Sequence, residues 1–479
     1  MLKYVLNKDC CSADKQAELV NDRHSSLNPT ALKRRIEAKN LLQLQAEIKR
    51  ARQNKESVAI AGGRHAMGGQ QFCKNGVLLD MQSMNRVLNF DEEHGLIEVE
   101  AGMEWTELID YLQSLQSMNP RPWSIIQKQT GCNKLSIGGS LSANVHGRGL
   151  KLAPFVSSVE NFTILRHDGE LLKCSREENS ELFELAIGGY GLFGVISSAS
   201  LRLAPRKVLR RDVRLADSLQ AVALLEESSK NGAEYGDFQF SIDSKSADFL
   251  RCGILSTYTP VQVEAESIPV NKRLLEDREW TELLYLAHTD KSLAFKKYAD
   301  HYLSTAGQLY LSDTFQLATY FDSYHKDLDR RMPERCPGSE MISELYVPRD
   351  LLGSFLAKAA LLLKEHRADL IYGTVRLIEE DKETFLPWAK KPWACIVMNL
   401  HVEHSPHGVA AAAKAFCALI DLALAFGGSY YLTYHRFASR EQILTAYPEL
   451  PEFMELKQAY DPDETFCSDW YLHTKDLIS

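Results

Sequence analysis

Ala61-Gly-Gly-Arg-His-Ala-Met-Gly-Gly-Gln70 follows one short apolar run, Ser57-Val-Ala-Ile60, and precedes another, Val77-Leu-Leu-Asp-Met81. The flanking runs read as buried strands. Glycines between two strands let the backbone turn tightly and come close to a ligand, with successive N–H groups aimed at an anion. That is phosphate-binding logic, yet no Gly-Lys-Ser/Thr follows, so the loop is not a Walker loop. Nor does a helix open at its last glycine at the spacing a Rossmann turn needs.

Two further segments share this poverty of side chains. Thr130 to Gly149 reads TGCNKLSIGGSLSANVHGRG, and Ala186 to Ile196 reads AIGGYGLFGVI before running into a β-branched stretch that ends at Pro205. Three such segments imply one large, flat, phosphate-bearing ligand threaded past backbone.

The 479 residues carry a net charge of −9, which argues against a nucleic-acid surface. Apolar runs are short of membrane-spanning length, and the N-terminus lacks a signal-peptide pattern. Ten cysteines without CxxC pairs exclude a zinc ribbon or disulfide scaffold. Scattered thiols of this kind fit the cytoplasm.

Periodicity predicts a helix over Thr30 to Asn54, broken near Asn40, and another from Glu104 to Gln116. Asp168-Gly169 predicts a hairpin turn within 159–174. Beyond Pro205 strands and helices follow one another, including Phe238–Asp243, Glu340–Pro348, Leu370–Ile378, Ala394–His401 and an Ala/Leu-rich helix over Val409–Phe426. The expected fold is α+β with an antiparallel cap sheet. The expected organisation is a polar lead-in (1–28), a ligand-binding domain (29–205), a cap (206–429) and a returning C-terminal segment (430–479).

AGGRHAMGG at 61–69, SIGGSLSANVHG at 136–147, ELFELAIGGYGLFGVI at 181–196 and YDPDETFCSDWY at 460–471 resemble the flavoproteins of the vanillyl-alcohol oxidase type. Their FAD-binding domain is called PCMH-type. Within that family the chain looks nearest to the aldonolactone and sugar-alcohol oxidases and to decaprenylphosphoryl-ribose oxidase. The loop also resembles that of cytokinin dehydrogenase and hydroxynicotine oxidase.

The resemblance implies a cofactor, FAD, held by Ala61, Gly62, Gly63, Arg64, His65, Ala66, Met67, Gly131, Cys132, Ser136, Ile137, Gly138, Gly139, Ala143, Asn144, His146, Ile196 and Tyr431. It implies covalent attachment through His65, although Arg64 stands for a common glycine and Ala66 for a common serine. Cys132 has the spacing of a second attachment in bicovalent relatives. It is read here as a small buried cysteine. Catalytic roles fall by the same resemblance on Tyr434, His435 and Arg376. Tyr434 replaces a lysine of the ribose oxidase, and Thr374 replaces a glutamate partner of Arg376. Glu344 is a weaker candidate, and Trp388 and Trp393 are candidates for the pocket wall.

The implied reaction is hydride transfer from a CH–OH carbon of a polyol, sugar, lactone or related alcohol to flavin N5, with oxygen or an electron carrier as acceptor. The alternatives are a dehydrogenase or epimerase component that hands electrons to a carrier, and an electron-transfer flavoprotein without turnover. No nicotinamide fingerprint accompanies the flavin motifs.

Overall fold

A computed structural model describes residues 18–263, 273–318 and 324–479. The Cys10-Cys11 pair and most of the lead-in lie outside the described residues. Three parallel strands, in the order Arg34–Glu37, Val77–Asp80, Val58–Ala61, form the smallest ligand-bearing layer. The helix Leu41–Gln53 crosses between the outer two, capped by the Asn40 side chain on the Gln43 amide.

The expected helix over Thr30 to Asn54 is therefore corrected. Thr30–Leu32 and Arg34–Glu37 are strands, and Asn40 begins the helix instead of breaking it. Arg34 to Glu37 alternates with Ile36 on the sheet beside Leu79, a period-2 pattern that the helical spacing of leucines further on had masked.

A second, antiparallel sheet runs Leu171–Ser175, Val159–Leu165, Val195–Pro205, Leu96–Glu100, Val87–Asp91, with Trp123–Ile125 added to the long central strand. The hairpin turn at Asp168-Gly169 is present, with Gly169 at φ +85°. Ile137–Ala143 is a helix that packs on this sheet, its start capped by Ser136.

The cap is an eight-stranded antiparallel sheet. Its order is Leu309–Leu311, Val208–Asp217, Cys252–Val261, Tyr235–Phe240, Asp369–Ile378, Trp393–Glu403, Gly338–Pro348, Ser429–Tyr430. Ser218–Lys230, Leu352–Glu365 and Pro406–Ala425 pack against one another and the sheet. Asp277–Thr289 and Lys291–Leu303 pair and cover other strands of it. Tyr235–Phe240 is buried throughout. A Cβ on Gly236 would meet Leu225 of the helix layer, whereas Asp237 and Gln239, on alternate positions, line a cavity.

Pro406–Ala425 corrects one expectation. It has 20 residues with a mean hydropathy of 1.8, so by length and composition alone it reaches membrane-spanning dimensions. Ala415, Phe416, Leu419, Ile420 and Ala423 form its buried stripe against the cap.

The C-terminal segment closes back on the first loop. Thr433 O accepts from the Met67 and Gly68 amides, each at 3.1 Å, and Cys467 N donates to Val58 O at 2.9 Å.

Candidate functional site

A cavity of about 720 Å³ opens between the loop after Val58–Ala61, the helix Ile137–Ala143, the tail at Tyr431–Tyr434 and the cap sheet. That is the size of a small-molecule or cofactor pocket. On the loop side Gly62, Gly63 and Ala66 bring backbone directly to the wall. A Cβ on Gly62 would sit 2.0 Å from Ser136 Oγ, and one on Gly138 would sit 2.9 Å from the Ala101 Cβ. The loop and the helix thus touch through glycine, and the cavity passes beside the contact.

The fit of a pyrophosphate-bearing ligand is tested by where the backbone donors go. The amides of Gly62, Gly63, Arg64, His65 and Ala66 donate to no acceptor among the described residues. Arg64 holds φ at +59°, which turns the run into a concave nest. Around the same wall Arg64 Nε, Gln70 Oε1 and Gln71 Oε1 are buried without a protein partner among the described residues. Buried backbone donors are nearly always hydrogen-bonded, so the unused amides of residues 62–66 require an acceptor from outside the protein. FAD meets the requirement. Ile137 and Gly138 behave differently, since their amides donate to the Met103 and Ala101 carbonyls. Their segment supplies a flat surface, not an anion nest.

His65 lies at the turn of the nest. Its Nε2 is 3.1 Å from the Lys134 carbonyl, its Nδ1 is 2.9 Å from His24 Nε2, and Cys132 Sγ is 3.4–3.5 Å from both nitrogens. A carbonyl only accepts, so Nε2 carries the proton and Nδ1 keeps the lone pair. Burial first, and the neighbouring His24 second, hold its pKa well below the ordinary histidine value. The ring is neutral and nucleophilic. Lys128 fixes the neighbouring turn, donating to the carbonyls of Gln129, Cys132 and Gln316 at 2.7–3.1 Å. Burial lowers its pKa to about 7.

Of the residues named from sequence, Gly62, Gly63, Arg64, His65, Ala66, Gly131, Cys132, Ser136, Gly138, Gly139, Ala143, Ile196, Tyr431, Tyr434 and Arg376 all line this one cavity. Tyr431 also donates its hydroxyl to the Ala143 carbonyl. Ala61, Met67, Ile137, Asn144, His146 and His435 do not line it. Ala61 ends its strand, and Met67 and Ile137 are core. The Asn144 side chain holds Asp381 (2.8 Å) and the Val156 amide (3.0 Å). His146 is bound to Glu344 at 2.9 Å behind the wall, with Tyr346 on the same carboxylate oxygen. Trp388 stacks on Tyr346 and donates to Asn144 O, and Trp393 donates to Trp388 O. Neither tryptophan lines the cavity.

His435 is the clearest correction. Its ring is packed by Phe416 (centroids 4.6 Å), Phe437 (5.4 Å) and Tyr430 (6.1 Å), away from the cavity. Burial pushes its pKa down to about 3. The unfolded chain binds this proton below about pH 6.5, the folded chain only near 3, so stability is full above 6.5 and declines as the pH falls between the two values. His435→Phe removes this contribution, which amounts to about 1.4 kcal/mol for each tenfold loss of proton affinity on folding. Denaturant midpoints measured from pH 7 to 4 should decline less steeply in the variant than in the parent.

Arg376 is 6% exposed on the cap wall. Its only hydrogen bond among the described residues is a long one, 3.5 Å from Nη1 to Gly147 O, and its Nε has no partner there. Tyr434 shares the wall, its phenol pushed well up by burial and then by the Glu344 charge. Sequence reasoning missed the rest of the cap lining. Arg148 and Asp237 form an ion pair at 3.6 Å there, and Asp237 Oδ1 lacks a hydrogen-bond partner among the described residues. Their signal was present in Tyr-Gly-Asp-Phe-Gln-Phe240, where acid and amide interrupt a wholly buried strand.

Fold and site together define a protein built to hold a flavin dinucleotide beside a closed substrate space. Residues 33–175 match the family model described as an FAD binding domain. Cytokinin dehydrogenase 3 of Oryza sativa subsp. japonica is 33% identical over 162 residues, 32% of this chain and 29% of that protein. Cytokinin dehydrogenase 10 of the same plant is 27% identical over 235 residues, 45% of this chain and 42% of that protein. L-gulonolactone oxidase of Mus musculus is 29% identical over 156 residues, 33% of this chain and 34% of that protein. The matches thus span between 29% and 42% of the length of these relatives. Residues 33–175 are thus an FAD-binding domain of the PCMH type, and FAD is the cofactor.

Proposed function

We propose that this protein oxidises a hydroxyl-bearing carbon of a polyol, sugar, lactone or related alcohol. The observation that carries the reading is Arg376, a buried guanidinium that lines the same cavity as the amide nest and has one long hydrogen bond, 3.5 Å, among the described residues. A buried cation without its own carboxylate is costly unless a ligand uses it. When bound, FAD supplies the two-electron acceptor for a hydride leaving carbon. Arg376 holds the substrate oxygen and the neutral Tyr434 phenol orients it, while the hydroxyl proton passes to water as the hydride leaves carbon. The Lys128 contacts keep Gln129–Cys132 in place beneath them. A substrate-sized space under a cap weighs against a carrier without turnover. Oxygen or an electron carrier then takes the electrons, and the rate at which photoreduced protein reoxidises in air separates the two.

We infer that the flavin is joined to His65 through Nδ1, the nitrogen left with a lone pair. Acid precipitation tests this. Yellow colour should stay with the pellet of the parent and of Cys132→Ala, and leave it in His65→Ala. Colour released from the parent overturns the attachment alone.

A second reading, oxidation of a carbon bearing an amine, is favoured by Asp237. Its carboxylate belongs to the cavity wall, beside Arg148 at 3.6 Å, and its charge would favour an N–H donor. Two of the three relatives named above are cytokinin dehydrogenases. Anaerobic flavin bleaching against polyols, aldonolactones, hydroxy acids and secondary amines decides. Bleaching by amines alone would displace the alcohol reading.

A further inference from the structure

The cap end of the cavity carries a second cluster that the redox reading does not use. The helix Asp277–Thr289 brings in His288, the helix Tyr324–Arg331 brings His325, and two cap strands bring Glu340 and His401. Antiparallel register sets Glu340 directly opposite His401. Glu340 Oε1 lies 3.1 Å from His401 Nδ1 and 3.4 Å from His288 Nε2, and Oε2 lies 3.1 Å from His325 Nε2. The side chains of His288, His401 and Glu340 are 0%, 3% and 11% exposed.

Distance alone would fit an ordinary hydrogen-bonded network. Alignment does not. Only the His401–Glu340 pair has hydrogen-bond geometry, whereas His288 Nε2 and Glu340 Oε2 are buried with no hydrogen-bond partner among the described residues. The trio His146, Glu344 and Cys395 shows the contrast, since His146 and Tyr346 both bond the carboxylate there.

In the cap cluster the donor atoms of His288, Glu340 and His401 lie within 4.8 Å of one another. A tetrahedral ion with bonds of about 2.0–2.1 Å keeps its donors roughly 3.3 Å apart. The observed approaches to Glu340, 3.1 and 3.4 Å, are of that size.

We propose that His288, Glu340 and His401 form a zinc-type divalent metal site in the cap, with its open side toward the cavity. Glu340 and His325 line that cavity while His288 and His401 do not, which sets the direction of the fourth position. Two nitrogens and one carboxylate oxygen suit Zn²⁺. In the metal-free cluster the His288 proton sits on Nε2, because Nδ1 accepts from Arg335. Arg335 reaches His288 Nδ1 at 3.0 Å and Asp369 at 3.0 Å, and Lys291 holds the other Asp369 oxygen at 2.9 Å. Loading the ion shifts the His288 proton from Nε2 to Nδ1, which Arg335 vacates by turning wholly onto Asp369. The ion ties the helix Asp277–Thr289 to two strands and so fixes the cap wall of the substrate space.

The test uses the full-length flavoprotein, stripped with chelator and then dialysed against Zn²⁺ or Co²⁺. Mass-spectrometric metal analysis should give about one zinc per chain, and cobalt should give four-coordinate ligand-field bands to the red of the flavin. His288→Gln and His401→Gln should each weaken binding beyond the roughly 10- to 100-fold that an outer partner costs. Flavin content should stay unchanged. Glu340→Gln serves as the conservative variant should either histidine change impair folding. Cys132→Ala should keep the metal, which separates this cluster from the His24–His65–Cys132 group. A stoichiometry near zero overturns the site, as does binding that survives all three cap variants or vanishes in Cys132→Ala. Because the readout is bound metal, the outcome is independent of which substrate the flavin oxidises.

Discussion

Arg376→Met should lower kcat/KM by about 10²- to 10³-fold while FAD content and the flavin spectrum stay the same. The side chain projects from Asp369–Ile378, opposite Cys395 of the neighbouring strand, onto the cavity shared with His65 and Tyr434. No carboxylate among the described residues forms an ion pair with it, so its charge is available to an oxygen that becomes negative as the hydroxyl proton leaves. Met keeps the length and apolar stem and removes only the charge and donors. The cap should not unfold, because losing an under-partnered buried cation is neutral or stabilising. Arg376→Lys should recover only part of the rate, since an ammonium cannot reproduce the planar fork. Stopped-flow reduction of the flavin by the best substrate of the panel measures both variants. Rates within threefold of the parent would remove Arg376 from the reaction.

The difference in how the two halves of the site could be read lies in what each is made of. The flavin side is built from absences of side chains, and Gly62-Gly63, Gly138-Gly139 and Gly191 are visible as letters. The nest itself was legible for the same reason, because an anion site of backbone amides needs small residues in a row. What the letters did not carry was which amides remained unused. Ile137 and Gly138 look equivalent to Gly62 and Gly63, yet their hydrogens go to Met103 and Ala101.

The cap side depends on pairs far apart in the chain. Glu340 meets His401 only through strand register, and Asp237 faces the cavity only because Gly236 and Phe238 face the helices. His435 and Tyr434 are adjacent in sequence, but one enters an aromatic core and the other the cavity. Both follow the strand Ser429–Tyr430 in a turn, where consecutive side chains diverge in a way that the sequence pattern does not show. Arg376 was legible because a single arginine in an otherwise apolar strand requires a partner or a cleft.

Gly63→Ala should yield a protein that retains little flavin, the second of the two large effects. An added Cβ would stand 2.1 Å from the Lys134 carbonyl oxygen and 2.7 Å from the His65 ring. Neither obstacle can swing aside cheaply. The carbonyl is backbone, and it is also the acceptor that fixes the His65 tautomer through Nε2 at 3.1 Å. Relieving the overlap means separating the nest from Lys134, so the methyl group disturbs amide convergence and the orientation of His65 together. Overpacking of this kind costs about 1–3 kcal/mol in stability. It should cost FAD retention more, at least about tenfold, because the same displacement spoils several donors at once. Gly139→Ala is the matched control. Its Cβ meets only the Ser136 hydroxyl, at 3.0 Å, so it adds a methyl group on the same cavity without moving backbone. Absorbance ratios of flavin to protein after gel filtration measure both. Equal flavin in Gly63→Ala and the parent would mean that the 61–66 amides do not hold the pyrophosphate, and the cradle would then have to be sought along Gly191 and Gly194 instead.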